Sequence, residues 1–356
     1  MQNVMFSQRF SISGRPVGAG EPVFIIAEIG VNHNGDMALA RKMIDAAVSA
    51  GVDAVKFQTF RVDSFMVDEG QLYEYKEGDQ TVSESTYAML KRLELPEAEH
   101  EVLFDYARSK GIIPLTSVSE VHSIDVAVNA GAGAFKIASA DLTNYPLLRA
   151  LGKEKKPVLI STGMTTEDEV AEVCSVLKEA GLSDCIFLHC VSLYPTPASE
   201  ANIARMISLK GLTGSLVGYS DHTRGEDACV LAVAMGACVL EKHFTLDKML
   251  PGPDHAFSAD PEDLQRLVER VRHIELLKGS GEISPGDKES VSRSAYRPSV
   301  TAAENLPEGT ILAEKHLCLK WPGGGIHPGK MSELIGKVLN RPVKRNDQIL
   351  WDMLVK

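Results

Sequence analysis

The chain has 356 residues, a formal net charge of -11 and a hydrophobic content of 44%, and this acidic balance argues against nucleic acid or an anionic membrane surface as a partner. Six cysteines are scattered without a Cys-x-x-Cys pair, which predicts buried thiols in a reducing compartment. The amino terminus lacks an apolar signal core and no apolar run approaches the length of a membrane span, so we expect a cytoplasmic protein.

The first elements of the chain predict a short extension followed by a repeated strand pattern. Residues 1–20 contain the turn sequence Ser13-Gly-Arg-Pro16, which predicts a hairpin. Eight short apolar runs follow, each read as a buried strand. Each run leads into polar residues, namely Glu28, Lys56, Thr116 with Ser117, Lys136 with Ser139, Ser161 with Thr162, His189, Ser220 with His222, and Glu241 with His243.

Stretches with apolar residues at helical spacing, such as residues 37–50, 167–180 and 261–277, lie between these runs. Eight buried strands that alternate with helices predict an α/β fold of the TIM (β/α)8 barrel type over residues 21–280, because a closed parallel sheet buries every strand on both faces. The active site of such a barrel lies at the carboxyl ends of the strands. The polar residues that end the runs therefore mark the expected site.

The last part of the chain predicts a second, smaller domain, since 356 residues exceed the roughly 250 residues of one barrel. Residues 279–286 are rich in glycine and serine, and we place a linker over residues 281–295. The residues from 296 to 356 contain short strand-like pieces and turn signals such as Pro307-Glu-Gly309. A domain of this size has a small core and is expected to depend on another surface for stability.

Two histidines stand at the ends of successive predicted strands. His222 lies in Tyr219-Ser-Asp-His-Thr223, and His243 lies in Glu241-Lys-His-Phe-Thr245. A single histidine at such a place is more often structural than a ligand, but the repeated pattern favours a two-histidine metal site. Imidazole suits divalent first-row metals, and two protein ligands leave coordination positions open for substrate and water. The sequence therefore predicts a catalytic metal.

Eight motifs along the chain carry a resemblance to a known family: residues 24–35 (FIIAEIGVNHNG), 56–58 (KFQ), 136–139 (KIAS), 161–164 (STGM), 189–197 (HC followed by YPTP), 220–223 (SDHT), 241–245 (EKHFT) and 251–254 (PGPD). The chain resembles the N-acetylneuraminate (sialic acid) synthase family, which includes the legionaminate, pseudaminate and spore-coat polysaccharide synthases. Its last domain, residues 296–356, is similar to the antifreeze-like (SAF) domain of that family.

The resemblance implies a phosphoenolpyruvate-dependent transferase. It would condense phosphoenolpyruvate with an N-acylated amino hexose, either N-acetylmannosamine or a 2,4-diacetamido-trideoxyhexose, to give a nine-carbon 2-keto sugar acid and phosphate. A pseudaminate-type or spore-coat synthase with a different acyl sugar is the alternative. The resemblance also implies a homodimer in which the SAF domain of one chain caps the barrel of the other.

The predicted residues suit phosphoenolpyruvate, whose carboxylate and phosphate need fixed cations and hydrogen-bond donors. Lys56 and Lys136 supply the cations, although a lysine at a strand end can equally be a solvated charge. Hydroxyl donors are expected from Thr116, Ser139, Ser161 and Ser220. Ser192 is a further contact, at a position where family members often have asparagine.

The remaining catalytic assignments concern the metal and a proton. His222 and His243 would hold a divalent ion, manganese first with magnesium or cobalt as alternatives, which activates the aldehyde of the open-chain sugar. Glu28 would direct the water that adds at C2 or move its proton. A structural ion pair of Glu28 with Lys56 or Lys136 is the other interpretation, and the two are compatible.

By resemblance, the sugar hydroxyls are held by Glu241 and Asp254, with further contacts from Gln58 and Tyr194. Relatives often read Lys-Arg-Pro-Gly in the small domain, where the arginine reaches the acylamino group of the sugar, but this chain has Trp321 after Lys320. Trp321 either stacks on a different acyl group, leaves Lys320 or Arg297 to supply a donor, or packs beneath its own domain.

Two other classes of protein share parts of this pattern. A metal-dependent barrel hydrolase would use the two histidines to activate water, but it would not need Lys56 and Lys136 together. A noncatalytic sugar-binding barrel would keep the scaffold and dispense with Glu28 or a metal histidine. The segment from Arg61 to Glu94 is long and polar for a barrel loop, and it predicts a lid over the mouth.

Overall fold

The computed structural model describes residues 6–68, 70–77 and 80–355. It divides into two compact units, Met1–Gly279 and Ser280–Lys356. Within the described residues, no helix is long and apolar enough to cross a bilayer. The predicted barrel ends at residue 280 and the first unit ends at Gly279.

Eight strands of the first unit pair in parallel and close into a barrel, which confirms the predicted TIM-barrel fold. They are β3, β4 and β7 to β12, and the barrel closes where β12 pairs with β3. The strands of this unit are β1 (Arg9–Ile12), β2 (Arg15–Gly18), β3 (Phe24–Gly30), β4 (Ala54–Thr59), β5 (Leu72–Glu77), β6 (Gln80–Ser85), β7 (Ile113–Val118), β8 (Phe135–Ile137), β9 (Val158–Ser161), β10 (Cys185–His189), β11 (Leu216–Asp221) and β12 (Val239–His243).

Most helices of the first unit pack on the outside of the barrel through apolar faces, and α1 (Met37–Ala50) does so through Met43, Ile44 and Ala47. Asp36 accepts hydrogen bonds from the N–H groups of Ala38 and Leu39 and so caps its first turn, and Gly51 ends it at φ 80°. The helices are α1 (Met37–Ala50), α2 (Val62–Phe65), α3 (Thr86–Leu93), α4 (Glu97–Ser109), α5 (Val121–Asn129), α6 (Tyr145–Leu151), α7 (Glu167–Glu179), α8 (Arg205–Thr213), α9 (Asp227–Ala234) and α10 (Pro261–Lys278).

The amino-terminal half of the barrel interior is apolar and is closed by a hairpin. β1 and β2 pair antiparallel through a turn in which Ser13 and Gly14 both have positive φ. Ile12 and Val17 of this hairpin are fully buried in one apolar cluster with inward residues of the barrel such as Ile26. The hairpin is therefore a plug for the amino-terminal end of the barrel.

The segment from Arg61 to Glu94 has its own structure. It contains α2, the antiparallel pair β5–β6 and α3, and it packs around an apolar cluster that includes Val62, Tyr75 and Met89. The N–H group of Gly252 donates to the Glu77 carboxylate at 3.1 Å, which ties this hairpin to the loop that follows β12. The segment thus lies on the side of the barrel where the strands end.

The second unit is small and has its own apolar cluster, which includes Val300, Leu317 and Ile349. Its elements are α11 (Asp287–Tyr296), β13 (Ser299–Ala302), β14 (Leu317–Lys320) and α12 (Met331–Leu334), and β13 pairs antiparallel with β14. Most of the linker predicted over residues 281–295 is therefore helical. Only residues 281–286 of it precede α11, because glycine and proline are absent from residues 287–296.

Candidate active site

Four buried charged side chains project inward where the barrel strands end. Glu28 of β3 and Lys56 of β4 are neighbours in the strand register, and Lys56 Nζ lies 2.8 Å from Glu28 Oε2. Glu241 Oε1 of β12 lies 3.8 Å from Lys56 Nζ and 4.0 Å from Lys136 Nζ of β8. None of the four is more than 4% exposed. The structure therefore brings both predicted lysines and both predicted glutamates into one cluster.

The surroundings of Glu28 and Glu241 shift the pKa values of the two carboxylates in opposite directions. Burial raises the pKa of Glu28, although Lys56 opposes the shift. Burial also acts to raise the pKa of Glu241, but Lys136 and Lys56 outweigh it and keep that pKa below its usual range. Neighbouring carboxylates with opposite shifts are suited to different roles, one as a proton carrier and one as a permanent anion.

Hydroxyl and amide groups surround these charges. Gln58 Nε2 donates to Glu28 Oε1 at 3.1 Å, and Ser220 Oγ donates to Glu241 Oε1 at 3.1 Å. Ser139 Oγ accepts from the Gly163 N–H at 2.9 Å and lies 3.1 Å from Cys190 Sγ. Ser161 is buried beside these groups on the inward face of β9, where its register partner is the inward residue Leu188.

Thr116 does not belong to this inward set. Its register partners are Phe57 and Phe135, which lie in the apolar layer between the barrel and the helices, and its hydroxyl donates to the Phe57 carbonyl at 3.1 Å. Ser117 is instead the partner of Gln58 and Lys136. The expectation for Thr116 is corrected in favour of Ser117, because side chains alternate between the two faces of a strand.

His222 and His243 lie side by side at the ends of β11 and β12, with ring centroids 5.4 Å apart. His222 Nδ1 is 2.7 Å from the Val191 carbonyl oxygen, so the Nδ1–H donates there and the lone pair of Nε2 remains available. Burial, with a contribution from His243, lowers the pKa of His222 to about 4, which keeps this imidazole neutral. A neutral ring whose second nitrogen is held by a carbonyl is the usual form of a metal-ligating histidine.

His243 has a carboxylate beside it. Its Nδ1 is buried without a hydrogen-bond partner and lies 3.4 Å from Asp254 Oδ2. Burial lowers the pKa of His243, but Asp254 and Glu28 outweigh it, and the net shift is upward. The two neighbouring imidazoles are donors that suit a divalent cation, with the other coordination positions left to water or substrate. Among the residues that the structure describes, no group of three or more His, Cys, Asp or Glu side chains forms such a site.

An aromatic wall completes this part of the mouth. The Tyr194 ring lies 4.2 Å from the His222 ring, between centroids, and the Phe257 ring lies 5.1 Å from the His243 ring. Phe257 follows Asp254 in a short 3-10 turn, His255–Phe257. Phe257 was not predicted from the sequence, because one aromatic residue in a loop carries no spacing signal.

Two further residues were missed. Asn32 is buried, and its Nδ2 donates to the Phe244 carbonyl at 2.9 Å and to Ser258 Oγ at 3.0 Å, which joins the loop after β3 to the loop after β12. At Gly163 a side chain would collide with the hydroxyl groups of Ser139 and Ser192. The motif around Gly163 was recognised, but its need for glycine follows only from this close approach.

Trp321 belongs to the second unit. Its side chain is 65% exposed, and its ring meets the edge of Tyr296 at 5.8 Å between centroids. The alternative in which Trp321 packs beneath its own domain therefore does not hold. Lys320 is hydrogen-bonded to Asn346 in the same unit.

Comparison with known proteins adds family matches to this geometry. Residues 43–283 match the NeuB family and residues 297–355 match the SAF domain. The chain is 41% identical over 342 residues to N,N'-diacetyllegionaminic acid synthase of Legionella pneumophila, with 95% of this chain and 96% of that protein covered. It is 34% identical over 348 residues to N-acetylneuraminate-9-phosphate synthase of Homo sapiens, with 96% and 95% covered.

A solved structure is also similar. The N-acetylneuraminic acid synthetase of Leptospira borgpetersenii, in complex with citrate, superimposes with a TM-score of 0.74 at 32% identity. The match covers 82% of this chain and 96% of that chain.

Proposed function

Because the chain belongs to the NeuB family, we propose that it is a nonulosonic acid synthase that condenses phosphoenolpyruvate with an N-acylated amino hexose. The products are a nine-carbon 2-keto sugar acid and phosphate. The observation that carries the proposal is the buried cluster of Lys56, Lys136, Glu28 and Glu241 beside the histidine pair. A hydrolase that only activates water has no use for two buried lysines at this point.

Phosphoenolpyruvate binding falls to the lysines and the serine hydroxyls. Burial lowers the pKa of Lys136, and Glu241, 4.0 Å away, only partly offsets this shift. An incoming phosphate or carboxylate would complete that compensation with a short, charge-assisted hydrogen bond. Ser117, Ser139 and Ser161 lie on the neighbouring strand ends and can donate to the remaining oxygens.

The proposal includes a divalent metal, manganese first with magnesium or cobalt as alternatives, held by His222 and His243. When bound, such an ion supplies Lewis acidity that polarises the aldehyde carbonyl of the open-chain sugar. His222 is oriented for this by the Val191 carbonyl. Replacing either histidine by alanine is expected to abolish turnover and to weaken metal binding, while the circular dichroism of the folded barrel is unchanged.

Glu28 is the proposed proton carrier. Its carboxylate is fixed by Lys56 at 2.8 Å and Gln58 at 3.1 Å, and its raised pKa brings it closer to the operating pH. In this role it directs the water that adds at C2 of the former phosphoenolpyruvate and accepts a proton from it. The phosphate then leaves by cleavage of the C–O bond.

The aromatic wall and the acidic residues of the mouth form the proposed binding site for the sugar. Glu241 Oε2 is buried without a partner, so a sugar hydroxyl can satisfy it, and Asp254 and Tyr194 line the same mouth. We propose 2,4-diacetamido-2,4,6-trideoxymannose as the first candidate, in line with the legionaminic acid synthase relative. N-acetylmannosamine and the altrose isomer of the diacetamido sugar follow. The exposed indole of Trp321 would stack on the acyl group.

The proposal extends to assembly and location. We propose a homodimer in which the SAF domain of each chain serves the barrel of its partner. Light scattering during size-exclusion chromatography measures the mass directly, and a monomer at assay concentration contradicts this part. We also propose a cytoplasmic location, which is supported by the six cysteines, all of which are free.

Phosphate release tests the function. Phosphoenolpyruvate and manganese are incubated with each of the three sugars, and His222→Ala serves as the inactive control. Release that depends on one sugar supports the synthase and identifies its substrate. Release without any sugar contradicts the proposal in favour of a phosphatase. If phosphoenolpyruvate binds but no phosphate is released with any of the three sugars, the proposed sugar class is contradicted.

A further inference from the structure

A buried ion pair lies on the opposite face of β11 and β12 from the active-site side chains. Asp221 and Lys242 are register partners on these strands, and Lys242 Nζ lies 2.6 Å from Asp221 Oδ2. Both residues are no more than 3% exposed. Ser220 and Glu241, the residues that precede them, form the adjacent pair that faces inward.

Several hydrogen bonds hold the two members of the pair. Asp221 Oδ1 accepts from the Thr223 N–H at 2.8 Å and from the Tyr219 hydroxyl at 3.1 Å. Asp221 Oδ2 accepts from Cys229 Sγ of α9 at 3.2 Å in addition to Lys242. Lys242 Nζ also donates to the Thr223 carbonyl oxygen. Both polar groups of the Thr223 backbone are therefore held by the two charged side chains.

This arrangement clamps the backbone around the histidines. Asp221 and Thr223 stand directly before and after His222, and Lys242 stands directly before His243. The ion pair thus ties the residue that follows His222 to the strand that carries His243. On its other side, the carbonyl oxygen of His222 accepts from the Thr196 N–H at 2.8 Å.

Stability alone does not account for such a pair. Two buried charges lose their hydration, and an apolar pair of similar volume is often equally stable or more stable. Buried polar groups of this kind can instead fix one arrangement of neighbouring segments. Here the segments fixed are the two that carry the proposed metal ligands.

We propose that Asp221 and Lys242 are positioning residues that set the separation of His222 and His243 and thereby the affinity for the divalent metal. This inference rests on the metal site of the proposed function. Partners that orient metal ligands typically change metal affinity by about 10-fold to 100-fold when they are removed.

The test is a direct titration of the full chain with Mn²⁺ in the absence of both substrates, followed by the electron paramagnetic resonance of free Mn²⁺. The double variant Asp221→Asn with Lys242→Met removes both charges together and leaves no unpaired buried charge. We expect its Mn²⁺ affinity to fall about tenfold or more, with kcat largely recovered at saturating Mn²⁺. Electron spin-echo modulation should show two histidine nitrogens at the bound ion in the unsubstituted chain and a weaker second coupling in the variant.

The matched control lies in the barrel wall near the strand starts. Asp53 accepts from the Ile25 N–H at 2.9 Å, from Arg15 at 2.9 Å and from Arg272 at 3.2 Å, so it too joins a carboxylate to cations and to the backbone. Asp53→Asn with Arg272→Met should leave Mn²⁺ affinity unchanged. An equal loss in this control would show that the effect is a general loss of stability and would overturn the proposal.

A second variant covers the case in which the double variant does not fold. Lys242→Arg keeps the charge, but a planar guanidinium cannot donate to Asp221 and the Thr223 carbonyl in the same geometry, and we expect weaker Mn²⁺ binding with the fold retained. Unchanged affinity in a folded variant at either position overturns the inference alone. If the unsubstituted chain fails to bind Mn²⁺, magnesium and cobalt alike, the metal site of the proposed function fails with it.

Discussion

The two halves of the barrel interior differ in chemistry over a distance of two residues. On β3 the next inward-facing residue after Ile26 is Glu28, and on β9 the next after Leu159 is Ser161. The amino-terminal half is an apolar cluster that the hairpin plugs with Ile12. The carboxyl-terminal half contains the buried lysines and glutamates.

The same strands therefore stabilise the fold with their amino-terminal halves and carry the proposed catalytic groups on their carboxyl-terminal halves. Apolar burial in one half favours the folded state by about 25 cal/mol per Å², whereas charges in the other half lose hydration and must be paired. Conservative substitutions in the two halves should therefore give opposite results. Those in the apolar half should change stability, and those in the charged half should change turnover.

The largest effect is expected at Glu28. Glu28→Gln removes the proposed proton carrier, and we expect kcat to fall by about 10³-fold while binding of phosphoenolpyruvate persists. Pre-steady-state and steady-state phosphate release measure it. Glu97→Gln on α4, at an exposed helix position, is the control and should remain active. If Glu28→Gln keeps full turnover, Glu28 is only a structural partner of Lys56.

Leu159 tests the apolar half. Leu159→Ala should lower the free energy of unfolding by about 2 to 4 kcal/mol, because it leaves a cavity in a buried cluster. The activity of the remaining folded molecules should be unchanged. Chemical denaturation followed by far-ultraviolet circular dichroism, together with kcat per folded molecule, measures both quantities, since both tryptophans, Trp321 and Trp351, lie in the second unit. A large loss of kcat without a loss of stability would remove the distinction between the two halves.

Lys136 sharpens the comparison within the charged half. Its pKa is lowered by burial, so its charge is a cost to the folded state, and Lys136→Met should leave the free energy of unfolding equal or higher. The KM for phosphoenolpyruvate should rise by about tenfold or more, because a desolvated charge contact is lost. Lys56→Met removes the partner of Glu28 at 2.8 Å and should lower stability as well. Equal stability losses for the two variants would contradict this assignment.

The smallest expected effect concerns Asp141, in the short turn after β8. Burial, with a contribution from Glu120, raises its pKa to about 6, above the value near 3.9 of an unfolded chain. The folded state therefore binds the proton more tightly, and stability is lost as the pH rises from about 4 to about 6. Asp141→Asn should stabilise the protein by about 1 to 2 kcal/mol at pH 8 and show no gain at pH 4. Thermal unfolding at both pH values measures this, and a pH-independent difference contradicts it.

The sequence predicted the barrel because each apolar run leads into a polar residue. The runs indicate the strands, and the polar residues indicate the end of the barrel at which the site lies. The sequence predicted Thr116 as the site residue of β7, but Ser117 is the residue that faces inward, because the phase of β7 is set by its pairing with β4 and β8. Phe257 was missed because its place depends on the path of a loop. The Asp221–Lys242 pair was not predicted, because attention went to the histidines that follow these residues and because the pairing depends on the register of β11 and β12.

The most direct test of the central claim follows the bridging oxygen of phosphoenolpyruvate. The enzyme is incubated with manganese, the accepted acylamino sugar and phosphoenolpyruvate labelled with ¹⁸O at the C2–O–P position. The masses of the products are then measured by mass spectrometry. The proposed condensation predicts a sugar acid that contains all three carbons of phosphoenolpyruvate and a phosphate that retains the label. Labelled pyruvate with unlabelled phosphate and no larger sugar acid would show hydrolysis at phosphorus and would contradict the account.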